Sequence, residues 1–556
     1  MSEPLQSATI RAEPDAFDVS RPQLMGRHTA GHGFLRAAVA ARGDGPIHGY
    51  APTPAAARGF EAIVREIDPA ARTAMVQGTD LAGLGDPGVL YLGDVTVPTF
   101  ARLRLRQGVA AFSLCGVTHT TASSSSMDAT ADLLREPIAP WDALVCTSTA
   151  VLETIRRVQA AEADYLRWRL GEAVRIEGPQ LPVIPLGVHC ADFDFSPADR
   201  TAARAALGLE PDEVAGLYVG RLLFHGKAHP LPMYQALQAA AERTGQRVAL
   251  VMSGWAPNSF IEDAFVRGAA EFAPDVRTIF VDGRETSPRR HAWAGSDIFF
   301  SLSDGIQETF GLTPIEAKAA GLPLIVSDWN GYRDTVRSGV DGFRISTWAP
   351  TAGAGQSLAL AFEAGVMSYD LYGWAAAATT SVDLSELCDC VSLLVANPPL
   401  RRRMGDAARL HAREVYDWPS VYRVYQALWG ELDARRRHAL ADPVAMVRWS
   451  AAPRVTPRRL DPFDAFGHYP TFSLGPRTLL SPAEGASMAR FEQIAAHPLF
   501  WEVAMPHEMT QALMALALHG PVGVADAAAT LALNVTVVIR SAGLLAKMGL
   551  IRLSAG

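Results

Sequence analysis

The 556-residue sequence lacks several features that mark special classes of protein. No run of 18 or more apolar residues appears, so no helix is expected to span a membrane. The first 18 residues are polar and acidic, unlike a signal peptide. Five cysteines form no CxxC pair, and Cys388-Asp389-Cys390 is too tightly spaced for a zinc knuckle. We therefore expect reduced thiols in a cytoplasmic protein, compatible with peripheral contact at the inner face of the membrane.

An excess of positive charge is also absent. The formal net charge of -8 argues against general nucleic-acid binding. Hydrophobic residues make up 49% and charged residues 19% of the chain, a balance typical of a globular protein rather than a disordered one. At one domain per roughly 150 residues, the length predicts three or four domains.

Buried apolar runs alternate with amphipathic segments in two successive series. Because this pattern is typical of parallel sheets covered on both faces, we predict two Rossmann-like α/β domains that face each other across a cleft. The predicted strands of the first series are Gly88–Leu92, Val109–Leu114, Ala143–Cys146 and Leu181–Pro185, and its helices are Pro54–Ile67, Pro98–Gln107 and Thr149–Ala160. The predicted strands of the second series are Ala215–Val219, Val248–Met252, Thr278–Val281, Ile298–Ser301, Leu324–Val326 and Gly342–Ile345.

Two loops of the first series are candidate sites. A predicted strand at Gln23–Met25 leads into a glycine-rich loop containing Gly31 and Gly33, before a helix that begins at Phe34. That loop is either a backbone site for an anion or a tight βα connection, and its spacing is not the GxGxxG fingerprint. His119 follows another predicted strand, at the sheet edge where α/β proteins bind ligands, although a hydrogen-bonded loop histidine is an alternative.

Two further stretches are predicted to be exposed. Ser123–Ser126 is interpreted as a flexible polar loop. Arg102, Arg104 and Arg106 alternate with leucines, which indicates either a solvated helix face or a surface that meets an anion.

The stretch Ser301–Val326 combines two carboxylates with a loop and a helix start. Glu308 lies just before the predicted helix and Glu316 about one turn inside it, so both can face one crevice. The loop between them can direct backbone amides at an anion such as a sugar diphosphate. On spacing alone, an ordinary capped helix is equally compatible.

Two cations follow the first strand of the second series. Arg221 and Lys227 lie beside glycines at the strand end, where an arginine fork and a lysine charge can hold a diphosphate. Taken singly, each could equally form a surface salt bridge.

The motifs GRL…GK, DIFFS, E-x7-E followed by AGLP, NGYRDTV and GVDGF occur in this order between residues 220 and 343. In this respect the chain resembles the retaining glycosyltransferases of the GT-B fold, family four type, over roughly residues 20–440. The resemblance implies sugar transfer from a nucleotide-diphosphate donor to a hydroxyl of a glycan, lipid or protein acceptor. It also implies same-face attack aided by the departing phosphate.

The same resemblance assigns roles to individual positions. It implies that Glu308 contacts the donor sugar, that Glu316 binds the nucleotide ribose and that His119 approaches the sugar and acceptor. It implies no cofactor, and because no Asp-x-Asp metal site is recognisable, we expect metal independence. The remaining implied ligands of the diphosphate are Arg221, Lys227, Phe310, Gly311, Leu312 and Thr313. The residues implied to line the cleft are Gly31, Gly33, Gly254 and Val281, of which Val281 lies near the nucleotide base.

The domain organisation follows from these patterns. We predict a first Rossmann-like domain at 1–205, a nucleotide-sugar domain at 206–415, a helix crossing back at 416–440, a linker at 441–481 and a helical winged-helix-like module at 482–556. An alanine- and glycine-rich insertion between Thr347 and Leu384 is interpreted as a lid or an interface. In the C-terminal module, the helix at the position of a recognition helix carries only two cations, Arg540 and Lys547. We therefore expect the module to mediate protein interaction or homo-oligomerisation rather than nucleic-acid binding.

Two alternative functions remain open at this stage. A hydrolase or phosphorylase on the same scaffold would differ in its need for an added acceptor. A degenerate GT-B protein that acts as a regulator or scaffold through its C-terminal module would bind no nucleoside diphosphate.

Overall fold

The computed structural model describes residues 6–19, 26–499 and 506–555. Contacts divide the chain into two compact units, Met1–Thr456 and Pro457–Gly556. The first unit contains two six-stranded parallel sheets, so the predicted pair of Rossmann-like domains is confirmed.

The first sheet has the strand order β3-β2-β1-β4-β5-β6. Its strands are β1 (Thr9–Arg11), β2 (Ile47–Ala51), β3 (Thr73–Gln77), β4 (Val89–Leu92), β5 (Ser113–Val117) and β6 (Ala143–Val145). Its helices are α1 (Pro14–Phe17), α2 (Gly26–Ala41), α3 (Pro54–Ile67), α4 (Val97–Arg104), α5 (Ser124–Arg135) and α6 (Thr149–Leu170), with 3₁₀ turns at Ala82–Gly85 and Cys190–Phe193. The predicted bounds of α3 are confirmed, whereas α6 continues beyond its predicted end until Gly171, whose φ is +100°.

The glycine-rich loop predicted before Phe34 is wrong, because residues from Gly26 onward form α2. A Cβ on Gly31 would lie 2.2 Å from the carbonyl oxygen of Ala16, and one on Gly33 would lie 2.3 Å from Nε1 of Trp418. These glycines therefore allow neighbouring elements to approach α2 closely. The predicted strand Gln23–Met25 lies outside the described residues.

The two stretches predicted to be exposed are also corrected. Ser123 caps α5 by accepting from the amide of Ser126, so the serine run begins a helix instead of forming a flexible loop. Arg104 is buried and donates to Asp142 at 2.6 and 2.7 Å, although its neighbours suggested a solvated face. A buried arginine needs such a partner, because an unpaired charge in a core is strongly unfavourable.

The second sheet has the order β12-β11-β10-β7-β8-β9. Its strands are β7 (Val214–Val219), β8 (Val248–Gly254), β9 (Val276–Asp282), β10 (Ile298–Ser301), β11 (Leu324–Ser327) and β12 (Gly342–Ile345). Its helices up to the insertion are α7 (Pro197–Ala206), α8 (Leu231–Thr244), α9 (Ser259–Phe272), α10 (Thr286–Gly295), α11 (Leu312–Ala320) and α12 (Tyr332–Thr335). All six predicted strands of this series are found, and β10 and β12 have the predicted bounds.

The insertion is a helical hairpin on a two-stranded antiparallel ladder. It comprises β13 (Thr347–Trp348), α13 (Gln356–Glu363), α14 (Tyr369–Ala377) and β14 (Ser381–Val382). The late helices α15 (Leu384–Ala396) and α16 (Pro398–His411) follow and pack on the second sheet.

After a π-helical turn at Ala412–Tyr416, the helix α17 (Trp418–Ala441) returns to the first domain, and α18 (Pro443–Ser450) follows. The centroids of the stacked rings of Phe34 and Tyr91 lie 4.2 Å apart. The helix α17 surrounds these rings with Trp418, Tyr425 and Trp429. This apolar contact joins the end of the second domain to the core of the first.

The second unit is a small helical module with a three-stranded antiparallel sheet, in the order β16-β15-β17. Its elements are α19 (Pro462–Ala465), β15 (Leu479–Pro482), α20 (Met488–Ala495), α21 (His507–Ala517), β16 (Val522–Gly523), α22 (Val524–Thr530), α23 (Val535–Lys547) and β17 (Ile551–Ser554). In the described part of the chain, no single helix meets the length and apolarity of a membrane span, and only the bent pair α22 and α23 meets them jointly.

Candidate functional site

The strand order places one crevice at a topological switch point of the second sheet. The chain leaves β7 towards β8 on one side, whereas β10 lies on the other side of β7 and continues to β11. Loops at the carboxyl ends of such neighbouring strands diverge and leave a cleft where α/β proteins bind ligands. Here these are the loop from Gly220 to Pro230 and the loop from Leu302 to Gly311.

The two loops meet through an ion pair between predicted site residues. Lys227 Nζ lies 3.5 Å from Glu308 Oε2, with the two side chains 37% and 19% exposed. Arg221 lies on the same loop as Lys227, and its carbonyl accepts a hydrogen bond of 3.1 Å from the buried Tyr218 hydroxyl. Thus the structure brings Lys227 and Glu308 together, and Arg221 lies on the same loop as Lys227.

The main chain at Glu308 is held in place. The side-chain amide of Asn330 donates to the Glu308 carbonyl at 2.9 Å. The backbone amide of Thr309 donates to the Glu308 carboxylate at 3.2 Å. Asn330 itself has a φ of +38°, a conformation that asparagine tolerates better than most residues. The carboxylate is therefore fixed opposite Lys227.

Helix α11 begins at the floor of this crevice. Gly311 has a φ of +89°, and a Cβ there would lie 2.2 Å from Cε1 of buried Tyr332. Among the described residues no side chain caps this helix start, and Pro314 in its first turn has no N–H. The amides of Leu312 and Thr313 are then the natural donors to an anion, which the helix dipole also favours. Phe310 is buried against Tyr416.

Glu316 lies one turn into α11 and is partly buried. Burial raises its pKa from 4.5 to about 7, although Arg289 opposes the shift. A carboxyl in this state can donate or accept a hydrogen bond near neutral pH, which suits contact with a hydroxyl.

His119 lies two residues beyond β5 in the first domain. Its Nε2 lies 2.9 Å from the carbonyl oxygen of Gly93, so Nε2 carries the proton and donates. Burial lowers the pKa of this histidine, and the ring is therefore neutral at pH 7 with its lone pair on Nδ1.

The first and second domains touch directly beside Glu308. The Thr309 hydroxyl donates to the His119 carbonyl, and the Ser148 hydroxyl donates to the Thr309 carbonyl at 2.7 Å. Nearby, the Asp334 carboxylate accepts from the amide and the hydroxyl of Thr149, both at 2.6 Å. These bonds hold the cleft in a closed arrangement.

The two predicted cleft-lining residues of the second domain, Gly254 and Val281, lie at the ends of the neighbouring strands β8 and β9. Gly254 is buried, because a Cβ there would lie 2.0 Å from the carbonyl oxygen of Gly220. Its own carbonyl accepts from the Gly283 amide at 3.0 Å, and Val281 packs against the core beneath. Gly254 thus allows β7, β8 and β9 to converge instead of offering a surface.

On the first domain, a cavity of about 160 Å³ opens at the carboxyl ends of the strands. His119 and Gly31 line it, together with the aromatic rings of Phe34, Tyr91 and Trp418. Gly33 is buried against Trp418, and its carbonyl accepts from His189, so the prediction that it lines the cleft is wrong.

The insertion also reaches the first domain. The Tyr369 hydroxyl of α14 lies 3.1 Å from the Thr120 hydroxyl, one residue after His119. Several of its apolar side chains are exposed, including Trp348 and Val366. Tyr369 and Ser148 were not found by sequence reasoning, since each acts through a partner far away in the chain.

Among the side chains that the structure describes, no three His, Cys, Asp or Glu residues are grouped so as to hold a metal ion. Metal independence remains a prediction.

Comparison with known proteins finds a family model that matches part of the chain. Residues 199–355 match the model of the family glycosyl transferases group 1. Over 210 residues the chain is 30% identical to a D-inositol 3-phosphate glycosyltransferase of Nocardia farcinica, which covers 36% of this chain and 44% of the relative. Over 167 residues it is 34% identical to the enzyme of the same name from Rhodococcus opacus, covering 28% and 36%. The match spans less than half of these relatives.

Similar solved structures include Anabaena Alr3699/HepE in complex with UDP, at 14% identity and a TM-score of 0.49, covering 76% of this chain and 99% of that one. Sucrose-phosphate synthase from Thermosynechococcus elongatus has 17% identity and a TM-score of 0.46, covering 77% and 100%. The resemblance to this group of transferases is confirmed over residues 199–355, whereas the assignment to family four remains a prediction.

Proposed function

From the match of residues 199–355 to glycosyl transferases group 1, we propose that this chain is a retaining glycosyltransferase. It transfers a sugar from a nucleotide-diphosphate donor to a hydroxyl of a glycan, lipid or protein acceptor. It uses no cofactor and no metal ion.

One observation supports this proposal most strongly. The ion pair of Lys227 with Glu308 joins the strand-end loop that holds Arg221 to the loop that leads into α11. Two cations, a carboxylate and an uncapped helix start therefore surround one switch-point crevice. That set matches the charges of a donor, because a diphosphate is anionic and a sugar offers hydroxyls to a carboxylate.

The chemistry follows from these charges. As the nucleoside diphosphate leaves, negative charge grows on its phosphate, and Arg221, Lys227 and the α11 amides stabilise that charge. Glu308 accepts hydrogen bonds from the sugar, and Glu316 bonds the ribose. The departing phosphate takes the proton of the acceptor hydroxyl. The hydroxyl oxygen attacks the donor sugar on the same face from which the phosphate departs.

The acceptor lies on the side of the first domain. The cavity beside His119 combines aromatic rings with polar groups at its rim, a lining suited to a ring that carries hydroxyls. Neutral His119 can accept a hydrogen bond from such a hydroxyl without adding charge beside the departing phosphate.

The test is a donor screen with the purified full-length chain. UDP-, GDP- and ADP-sugars are incubated with and without candidate acceptors, and released nucleoside diphosphate is measured. We expect release with one class of donor, increased by an acceptor. Glu308→Ala and Arg221→Ala should each lower the rate by about 100-fold, the scale of removing one charge-stabilising group.

The exposed surface pair of Arg243 with Asp389 supplies the control, and Arg243→Ala should leave the rate unchanged. Release that never depends on an acceptor would instead indicate a nucleotide-sugar hydrolase. Failure to bind any nucleoside diphosphate would contradict the proposal in favour of a scaffold protein.

A further inference from the structure

A partly buried carboxyl lies beside the turn that holds Lys227. Asp304 follows β10, four residues before Glu308, and its Oδ1 atom is buried without a hydrogen-bond partner among the described residues. Its Oδ2 accepts from the backbone amide of His229 at 3.2 Å. Asp304 thus ties the end of the Lys227 turn to the loop after β10.

Both uncharged and charged groups lie near Asp304, since the charges of Arg221 and Glu308 act on the same Tyr218 hydroxyl as Asp304 does. Tyr218 and His229 line a cavity of about 10 Å³ together with Met233 and Leu302. Burial raises the pKa of the Tyr218 hydroxyl and lowers that of the His229 ring, so both are uncharged near pH 7. On the neighbouring turn and on its own loop, Lys227 and Glu308 are paired with each other.

An unpaired carboxylate in such a place is unfavourable, and burial raises the pKa of Asp304 to about 7. Protonation removes the charge from this carboxyl and so lowers the cost of leaving Oδ1 without a partner.

Resting on the proposed function, we propose that Asp304 is a positioning residue of the donor site that binds the donor in its neutral form. The neutral carboxyl keeps its bond to the His229 amide and so fixes the turn that presents Lys227. When Asp304 ionises, it adds a second negative charge to that of Glu308. The added charge repels the donor diphosphate.

Proton and donor binding are then linked. A donor that prefers neutral Asp304 must cause proton uptake, and donor affinity must fall as the pH rises through 7. If binding is confined to the neutral form, the dissociation constant rises roughly tenfold between pH 6 and pH 8.

The experiment is titration calorimetry of the full-length chain with UDP-glucose, GDP-mannose and ADP-glucose, whose diphosphates keep a constant charge in this range. The measured quantity is the ratio of the dissociation constants at pH 8 and pH 6. We expect this ratio to be about tenfold smaller in Asp304→Asn than in the wild type, because the amide mimics the neutral acid. Titration of Glu316 changes the ratio equally in the wild type and in Asp304→Asn, so its effect cancels when the two ratios are compared.

Asp263→Asn is the matched control, since Asp263 is an exposed carboxylate on α9, and it should keep the wild-type ratio. Asp304→Ala should weaken binding at both pH values, because it removes the bond to His229. Equal ratios in Asp304→Asn and the wild type would overturn this inference alone and leave Asp304 a structural anchor. Absence of donor binding by the wild type would overturn the proposed function and this inference with it.

Discussion

At the scale of single residues, the site depends on how charges are compensated. Lys227 and Glu308 neutralise each other at 3.5 Å, and neither side chain is fully buried. A diphosphate would compete with Glu308 for Lys227, because it offers more negative charge to the same ammonium group. Donor binding would then release the Glu308 carboxylate to accept hydrogen bonds from the sugar.

Glu316 gives a prediction about stability and pH. Its pKa is raised from 4.5 to about 7 by burial, so the folded chain holds the proton more tightly than the unfolded chain. The stability that this proton provides is complete below pH 4.5 and is lost as the pH rises through 7. We expect Glu316→Gln to raise the melting temperature by about 2 °C at pH 8, on the order of 2 kcal/mol, and by less at pH 5.

Thermal unfolding at the two pH values measures this difference. Because Glu316 is partly exposed, the gain is smaller than its full pKa shift would give. An equal change in melting temperature at both pH values would contradict a raised pKa for this carboxyl.

At the scale of elements, the start of α11 is set by packing against Tyr332. Gly311 combines a φ of +89° with a site where a Cβ would come within 2.2 Å of that ring. A side chain there must displace either the helix start or a fully buried tyrosine.

We therefore expect Gly311→Ala to lower stability by about 2–3 kcal/mol and to weaken donor binding at least tenfold. Gly353→Ala is the matched control, because Gly353 has a similar φ of +97° and nothing within 4 Å of a Cβ. Chemical denaturation and donor titration measure both effects. Similar losses in the two variants would show that backbone strain alone is responsible and that the Tyr332 contact is unimportant.

The second domain was more predictable from its sequence than the first. Its strands β7, β8 and β10 are apolar runs buried on both faces, and the motifs at strand ends identify the loops. In the first domain, β1 has three residues and β3 is only half-buried, so neither gives a strong pattern. The glycines of α2 were misread because close packing on Ala16 and Trp418 is invisible in a local sequence.

The site itself was predictable only in part. Arg221, Lys227 and Glu308 follow strands, which is a local signal, and the structure brings Lys227 and Glu308 together. Arg104 and Ser148 depend on partners elsewhere in the fold, namely Asp142 and Thr309. Such pairs become visible only when the chain is folded.

At the scale of the first unit, the cleft is closed by contacts between its two domains. The Asp334 carboxylate bonds the amide and the hydroxyl of Thr149 at the first turn of the 22-residue helix α6, where the helix dipole adds to the attraction. Domain closure around a donor excludes water from the reacting centre, so this contact bears on turnover.

We expect Asp334→Ala to shift the population of the free protein towards open forms by about tenfold, the equivalent of about 1.4 kcal/mol. Small-angle X-ray scattering should detect a larger radius of gyration in this variant. A bound donor should return the radius to the wild-type value. Asp164→Ala is the control, since Asp164 pairs with Arg167 on the surface of α6. An unchanged radius in Asp334→Ala would mean that other contacts determine closure.

The central claim is that the crevice between Lys227 and Glu308 binds the diphosphate of a nucleotide sugar. Titration calorimetry of the full-length wild type, Lys227→Ala and Arg243→Ala with the donor found in the screen tests it most directly. The account predicts binding by the wild type and by Arg243→Ala, and binding weakened about 100-fold in Lys227→Ala. Undiminished donor binding by Lys227→Ala would contradict it.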